Sequence, residues 1–183
     1  MTEVKINKDI KLSEHLASPS EAALSQISEL NGIRLSPHFT LAELCKTSYH
    51  TLDGNIPSRV AIENLRNLCE NWLEDLRYSQ NTLYSGAGEK ETPIIINSGY
   101  RSEEVNMKCG GAKGSNHLTG CAVDIKCDGP MQMIRMAGIL LDIADGTHQV
   151  FDELIQEKRG STYWIHFAVR PSGNRHKILF DCR

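Results

Sequence analysis

Three side chains in this sequence are of the types that ligate zinc, and their spacing suits a shared ion. His117 and Asp124 stand at the two ends of H-L-T-G-C-A-V-D, and His166 closes W-I-H. Zinc accepts imidazole nitrogen and carboxylate oxygen. A catalytic site supplies three such ligands and keeps a fourth position for water. Two histidines and one aspartate meet that count, for one Zn2+ ion. The gap between His117 and Asp124 lets the chain turn at Gly120 and return in a strand. A loop ligand and a strand ligand then converge, and His166 must arrive from a neighbouring strand.

The elements that must position these ligands can be read from periodicity and turn residues. Thr40-Leu-Ala-Glu43 has the form of a capping box and predicts a short helix to about Cys45. Ala61, Leu65, Leu68, Cys69, Trp72 and Leu76 recur at three and four residue steps, which predicts an amphipathic helix after Asn55-Ile-Pro57-Ser58. Gly86-Ala-Gly88 then marks a loop. Pro93 to Asn97 is an apolar, β-branched run that suits a buried strand. The stretch from Ser98 to Gly120 is dense in Gly, Ser and Asn, as a long functional loop holding one helical turn would be. Gly110-Gly111 is expected to give a backbone turn with positive φ, without the Lys-Ser/Thr sequence of a phosphate loop. Cys121 to Lys126 reads as a strand and Ile134 to Ala144 as a helix after the Gly129-Pro130 break. Phe151 to Glu157 and Tyr163 to Val169 read as two strands joined by a turn at Lys158 to Ser161. His38, His50, His148 and His176 read as surface or hydrogen-bonded residues.

Bulk properties bound the function class. The 183 residues suffice for one domain with a core, and hydrophobic residues at 40% with charged residues at 23% are ordinary for a globular chain. A net charge of −3 gives no general attraction to nucleic acid or to anionic lipid. No run is apolar enough to insert in a membrane, and the first residues lack the apolar stretch of a secretory signal. The expectation is a chain made in the cytosol, with its six cysteines free. Localisation beyond that is not legible. Residues 1–34 read as an N-terminal arm, with SPSEAALSQISEL as a short helical pattern, and residues 35–183 as the domain. A monomer is expected.

The ordered motifs S-G-Y-R-S, G-G-A-K, S-x-H-x-x-G-x-A-x-D-I, F-D-x-L-I and W-I-H resemble those of the M15 peptidases. This family comprises D-alanyl-D-alanine carboxypeptidases and phage endolysins, and shares its fold with the hedgehog signalling domain. The resemblance runs from Leu35 to about Leu179 and begins at F-T-L-x-E-L. It implies an α+β fold in which a small antiparallel sheet carries the ligands and helices flank it. It also implies that His117, Asp124 and His166 ligate zinc, and that the substrate is a peptidoglycan stem or cross-link peptide. The family arginine falls on Arg101. A forked, permanently charged guanidinium suits a substrate carboxylate or the oxyanion formed on attack. Ser115, Tyr100 and Trp164 are the further candidates for touching substrate, and Tyr163 and Trp164 are expected to wall the cleft.

Hydrolysis also needs a group that moves a proton. Many M15 enzymes place an acid three residues before the last histidine, where this chain has Tyr163, whose phenol is a poor base at neutral pH. Candidates then lie in F-D-E-L-I-Q-E. Strand alternation gives Glu153 and Glu157 one face and Asp152 the other, so pairing of Glu157 near Trp164 brings both glutamates to the face of His166. A slip of one residue hands that face to Asp152. Family members with this F-D-x-L-I ending resemble the chain in carrying a glutamate at the Glu157 position, which makes Glu157 the first candidate, with Asp152 and Glu153 as alternatives. The departure at Tyr163 leaves one competing expectation, a zinc-containing module of hedgehog-like fold that binds cell wall or protein without turnover.

Overall fold

The structure, a computed structural model, describes residues 32–84 and 91–182, without the side chain of Cys182. The expected N-terminal arm up to residue 31, its short helical pattern and the Gly86-Ala-Gly88 loop lie outside the described residues.

Helix α1 (Leu41–Leu44) starts where Thr40 accepts a hydrogen bond from the Glu43 amide, as the capping pattern predicts. Helix α2 (Arg59–Leu68) starts at Ser58, whose hydroxyl takes the Ala61 amide. It runs without a break through a π-helical turn at Cys69–Leu73 into α3 (Glu74–Tyr84), a longer course than the apolar periodicity marks. The wide turn sets Trp72 facing inward. Trp72 is fully buried against Phe167 and Phe151, with ring centroids 5.0 and 6.4 Å away. Burial of each such ring contributes roughly 2–3 kcal/mol.

Five strands form one sheet in the order β1-β2-β4-β3-β5. They are β1 (Ile96–Ser98), β2 (Ala122–Cys127), β3 (Glu153–Arg159), β4 (Thr162–Ala168) and β5 (Lys177–Cys182). A short helix α4 (Glu103–Lys108) and a 3-10 turn (Asn116–Thr119) fill the connection from β1 to β2, and α5 (Pro130–Thr147) crosses from β2 to β3. Pro130 occupies the first turn of α5, where its missing N–H costs nothing.

The fold is α+β, as expected, with two refinements. The sheet is antiparallel except at β3 and β5, which pair in parallel. β5 itself is not visible in sequence periodicity, because Ile178, Leu179 and Phe180 run consecutively and all are exposed. Alternation signals a strand only where one face is buried and the other wet.

One face of the sheet carries Val123, Ile125, Leu154, Ile165 and Phe167, all buried with the inner faces of α2, α3 and α5. The other face carries Asp124, His166, Trp164, Glu153 and Glu157. Among the described residues, Cys45, Cys69, Cys109, Cys121 and Cys127 are free thiols. Burial pushes Cys45 and Cys127 up to about 12, so these thiols are inert at neutral pH. No described helix is long and apolar enough to cross a membrane.

Candidate metal centre and the acids around it

The antiparallel register sets Asp124 directly opposite His166. His117 reaches the same point from the 3-10 turn. Ser115 caps that turn by accepting the His117 amide at 3.3 Å, and Gly120 ends it at φ +70. A Cβ at Gly120 would lie 2.4 Å from the Ala61 carbonyl oxygen of α2, so left-handed backbone and close approach both require glycine there.

The three donor atoms form a near-equilateral triangle. His117 Nε2 lies 3.2 Å from His166 Nδ1 and 3.2 Å from Asp124 Oδ1, and His166 Nδ1 lies 3.0 Å from Asp124 Oδ1. Donors about 2.0–2.1 Å from a tetrahedral zinc are separated by about 3.3 Å. The residues therefore fit a zinc ion, and a group of this kind is the one His/Cys/Asp/Glu cluster among the described residues with metal-binding spacing.

The surroundings fix each ligand. His117 Nδ1 faces the Gly99 carbonyl at 2.6 Å and donates to it, which leaves the Nε2 lone pair free for the site. Asp124 turns Oδ1 to the histidines while Arg101 Nη2 donates to its Oδ2, and Arg101 Nε donates to Ser98 Oγ at 2.7 Å. Ser98 is aimed at the site by a bulge in β1: Ile96 pairs with Ile125 on the core side, but Ser98 pairs with Asp124. His166 Nε2 points at Glu153 Oε2, 3.6 Å away. That is a charge contact, too long for a good hydrogen bond.

Without metal these contacts shift the titrations. Asp124 loses stability as an anion through burial, but the two histidines outweigh that and hold it well below the usual carboxylate range. Burial lowers His166, yet Asp124 and Glu153 raise it to about 9.

The strand register pairs Glu157 with Trp164, Ile155 with His166 and Glu153 with Ala168. Glu153 and Glu157 thus flank His166 on its own face. Their environments differ. Contact with His166, backed by Lys177 and Arg175, holds Glu153 down to about 2. Burial, and then the charge of Asp124, raises Glu157 above the usual range, with the charge of His166 acting the other way.

Asp152 has no exposed surface and is enclosed by Arg175 Nη2 at 2.7 Å, Arg170 Nε at 3.0 Å and Asn116 Nδ2 at 2.8 Å. Its bonds from Arg175, with help from Asn116 and Arg170, hold it below the carboxylate range. Asn116 also donates to Glu153 Oε2 at 3.1 Å, and Arg175 Nη2 reaches Glu153 Oε1 at 3.0 Å. Arg170, Arg175 and Lys177 are the neighbours that sequence reasoning missed, whereas Asn116 was expected to hold the loop or touch substrate. Asp152 falling at a strand start, directly after the apolar Phe151, was the signal for a buried carboxylate in need of cations.

Of the substrate-contact candidates, Trp164 stands on the ligand face beside Glu157. Tyr100 is half-buried against the core and lines a cavity of about 150 Å³ with Arg101, Ser98 and Lys46. Ser115 lines a cavity of about 520 Å³ on the outer side of the His117 turn. Tyr163 does not wall the cleft: three residues from His166 along a regular strand, it faces the other way, against the core and under Lys158. Gly110 has the expected positive φ, whereas Gly111 is needed for space, since a Cβ there would meet Asn106 Oδ1 at 2.1 Å.

The family model described as Peptidase M15 matches residues 37–153, well over half of the chain. The match includes Arg101, His117, Asp124 and Glu153, and ends before Glu157 and His166. Among curated proteins, none matches the chain.

Proposed function

The chain belongs to the peptidase M15 family, and from that premise we propose that it is a zinc-dependent peptidase that cuts stem or cross-link peptides of peptidoglycan. The observation that carries the zinc reading is the triangle of His117 Nε2, Asp124 Oδ1 and His166 Nδ1, with separations of 3.0–3.2 Å. The substrate class rests on the likeness of S-G-Y-R-S and the motifs after it to carboxypeptidases and endolysins. When bound, zinc supplies a Lewis acid that polarises a carbonyl and lowers the pKa of water to about 7.

Glu157 is the residue assigned to the proton. It must accept one from the attacking water and pass one to the leaving amine, so its pKa has to lie nearer neutrality than that of an ordinary carboxylate. Its raised pKa supports this role over its two neighbours. Glu153 and Asp152 are locked in ion pairs that favour the charged form, which makes them weak proton acceptors.

Arg101 is assigned two duties. Its bonds to Ser98 and Asp124 hold the ligand carboxylate in place, and its permanent charge sits one carboxylate away from the donor triangle, where it favours negative charge on the substrate oxygen. Trp164, paired across the strands with Glu157, offers an aromatic surface to the substrate.

Digestion of purified peptidoglycan, with mass analysis of the products with and without a chelator, tests the proposal. Loss of a terminal residue or opening of cross-links, abolished by chelator and restored by zinc, is the expected result. Products that form equally in chelator would refute the zinc reading, and no product from any peptidoglycan would refute the substrate class.

A further inference from the structure

Among the described residues β5 pairs with β3 alone, so its outer edge presents backbone N–H and C=O groups with no strand beside them. Natural sheets usually blunt such an edge with an inward charge, a proline or a bulge. β5 does none of these at its centre. Ile178, Leu179 and Phe180 are 51, 44 and 60% exposed, and alternation puts apolar side chains on both faces of the sheet. Lys177 precedes the three and Asp181 follows them.

That order, K-I-L-F-D, is complementary to its own reverse. If two copies of the strand meet antiparallel with Leu179 opposite Leu179, then Ile178 faces Phe180, and Lys177 of each copy faces Asp181 of the other. We propose that β5 is a homodimer edge, at which two copies join in this register into one continuous sheet across a two-fold axis at Leu179.

The charges behind the edge favour this register. Within one copy Glu153 pairs across the strands with Lys177, whose Nζ lies 3.1 Å from Glu153 Oε1, whereas Glu157 pairs with Asp181 and so has a like charge beside it. Adjacent like charges in a sheet are unfavourable. The second copy's Lys177 would arrive next to Asp181, so each copy brings a charge opposite to the one it meets across the seam. A slip of one residue would instead set Lys177 against Phe180 and lose both ion pairs.

A two-fold axis perpendicular to the sheet keeps both ligand clusters on the same side. From β4 of one copy to β4 of the other is five strand spacings, about 24 Å. The proposed dimer departs from the monomer expected from sequence.

Sedimentation velocity of the full chain over a concentration series into the millimolar range tests the proposal, together with cysteine cross-linking. Directly opposed residues in an antiparallel pair have Cα atoms about 4.5–5.5 Å apart, within disulfide reach. The wild-type chain is expected to dimerise reversibly, and Leu179→Lys to weaken the dimer by at least about fivefold, since two like charges then meet on the axis. Leu179→Cys is expected to form an intermolecular disulfide on mild oxidation well above the wild-type background, and Ile178→Cys not to. If Leu179→Lys fails to fold by circular dichroism, the cross-linking contrast decides. A chain that stays monomeric throughout, a dimer unaffected by Leu179→Lys, or equal cross-linking at both cysteine positions would overturn it.

Discussion

Glu157 lies directly across the hairpin from Trp164, on the face of the sheet that also carries His166. The pairing places a carboxylate beside the ligand cluster without spending it on an ion pair. Glu153, at the other side of His166, is spent on Arg175 and Lys177.

Replacement of Glu157 by Gln should therefore lower kcat/KM by about 10²–10⁴-fold, the usual worth of a positioned acid or base, while zinc stays bound. Since Glu157 titrates above the ordinary range, the wild-type acid limb should fall as pH drops through that raised value, because protonation removes the base. Full activity in Glu157→Gln, measured by steady-state kinetics, would move the role to Asp152 or Glu153.

The metal-free protein should show its own pH dependence. His166 is raised to about 9 from an ordinary value of 6.5, so its stabilising contribution is complete below about 6.5 and lost as pH rises through 9. Asp124 is depressed, so its contribution is present above the ordinary carboxylate range and lost only in strong acid. Melting curves in chelator should thus fall between pH 6.5 and 9, and zinc should remove the fall by displacing the proton. A flat chelated profile across that window would contradict the ion pairing seen here.

Arg101 donates to Asp124, one of the three proposed zinc ligands, so Arg101→Ala should weaken zinc binding by about 10–100-fold, as loss of an outer partner does. Arg101→Lys keeps the charge but loses the fork and should recover part of that affinity. Competition with a chromophoric chelator reads both, and unchanged affinity in the alanine variant would remove Arg101 from this duty.

Gly120→Ala should destabilise the fold by at least about 2 kcal/mol, because it combines a left-handed backbone with a Cβ 2.4 Å from the Ala61 carbonyl. Denaturant unfolding measures this, and a change below about 0.5 kcal/mol, the range of neutral surface substitutions, would show that the turn can relax.

Much of the site was legible before the fold. His117, Asp124 and His166 could be chosen because two histidines and one carboxylate meet the ligand count of a catalytic zinc and the motifs that carry them resemble those of M15 peptidases, and strand parity then limited the acids to two sets. What decided between those sets was register, which depends on the two-residue turn at Gly160-Ser161 and on the burial of Leu154, Ile165 and Phe167. Sequence allowed both registers. Tyr163 shows the same limit, since its orientation follows from parity once the pairing is known. The cations around Asp152 come from a loop after the last strand ligand, and β5 lacks the alternation that announces a strand. The bulge at Asn97, which turns Ser98 toward Arg101, leaves no mark in a run as short as β1.

Whether one zinc ion is held by His117, Asp124 and His166 is read by metal analysis of the purified chain beside His117→Ala, Asp124→Ala and His166→Ala. About one zinc per chain is expected in the wild type, as three ligands at one point require, with loss of that zinc in each variant and the fold retained by circular dichroism. A wild-type chain that takes up no zinc when it is supplied, or variants that keep a full equivalent, would contradict it.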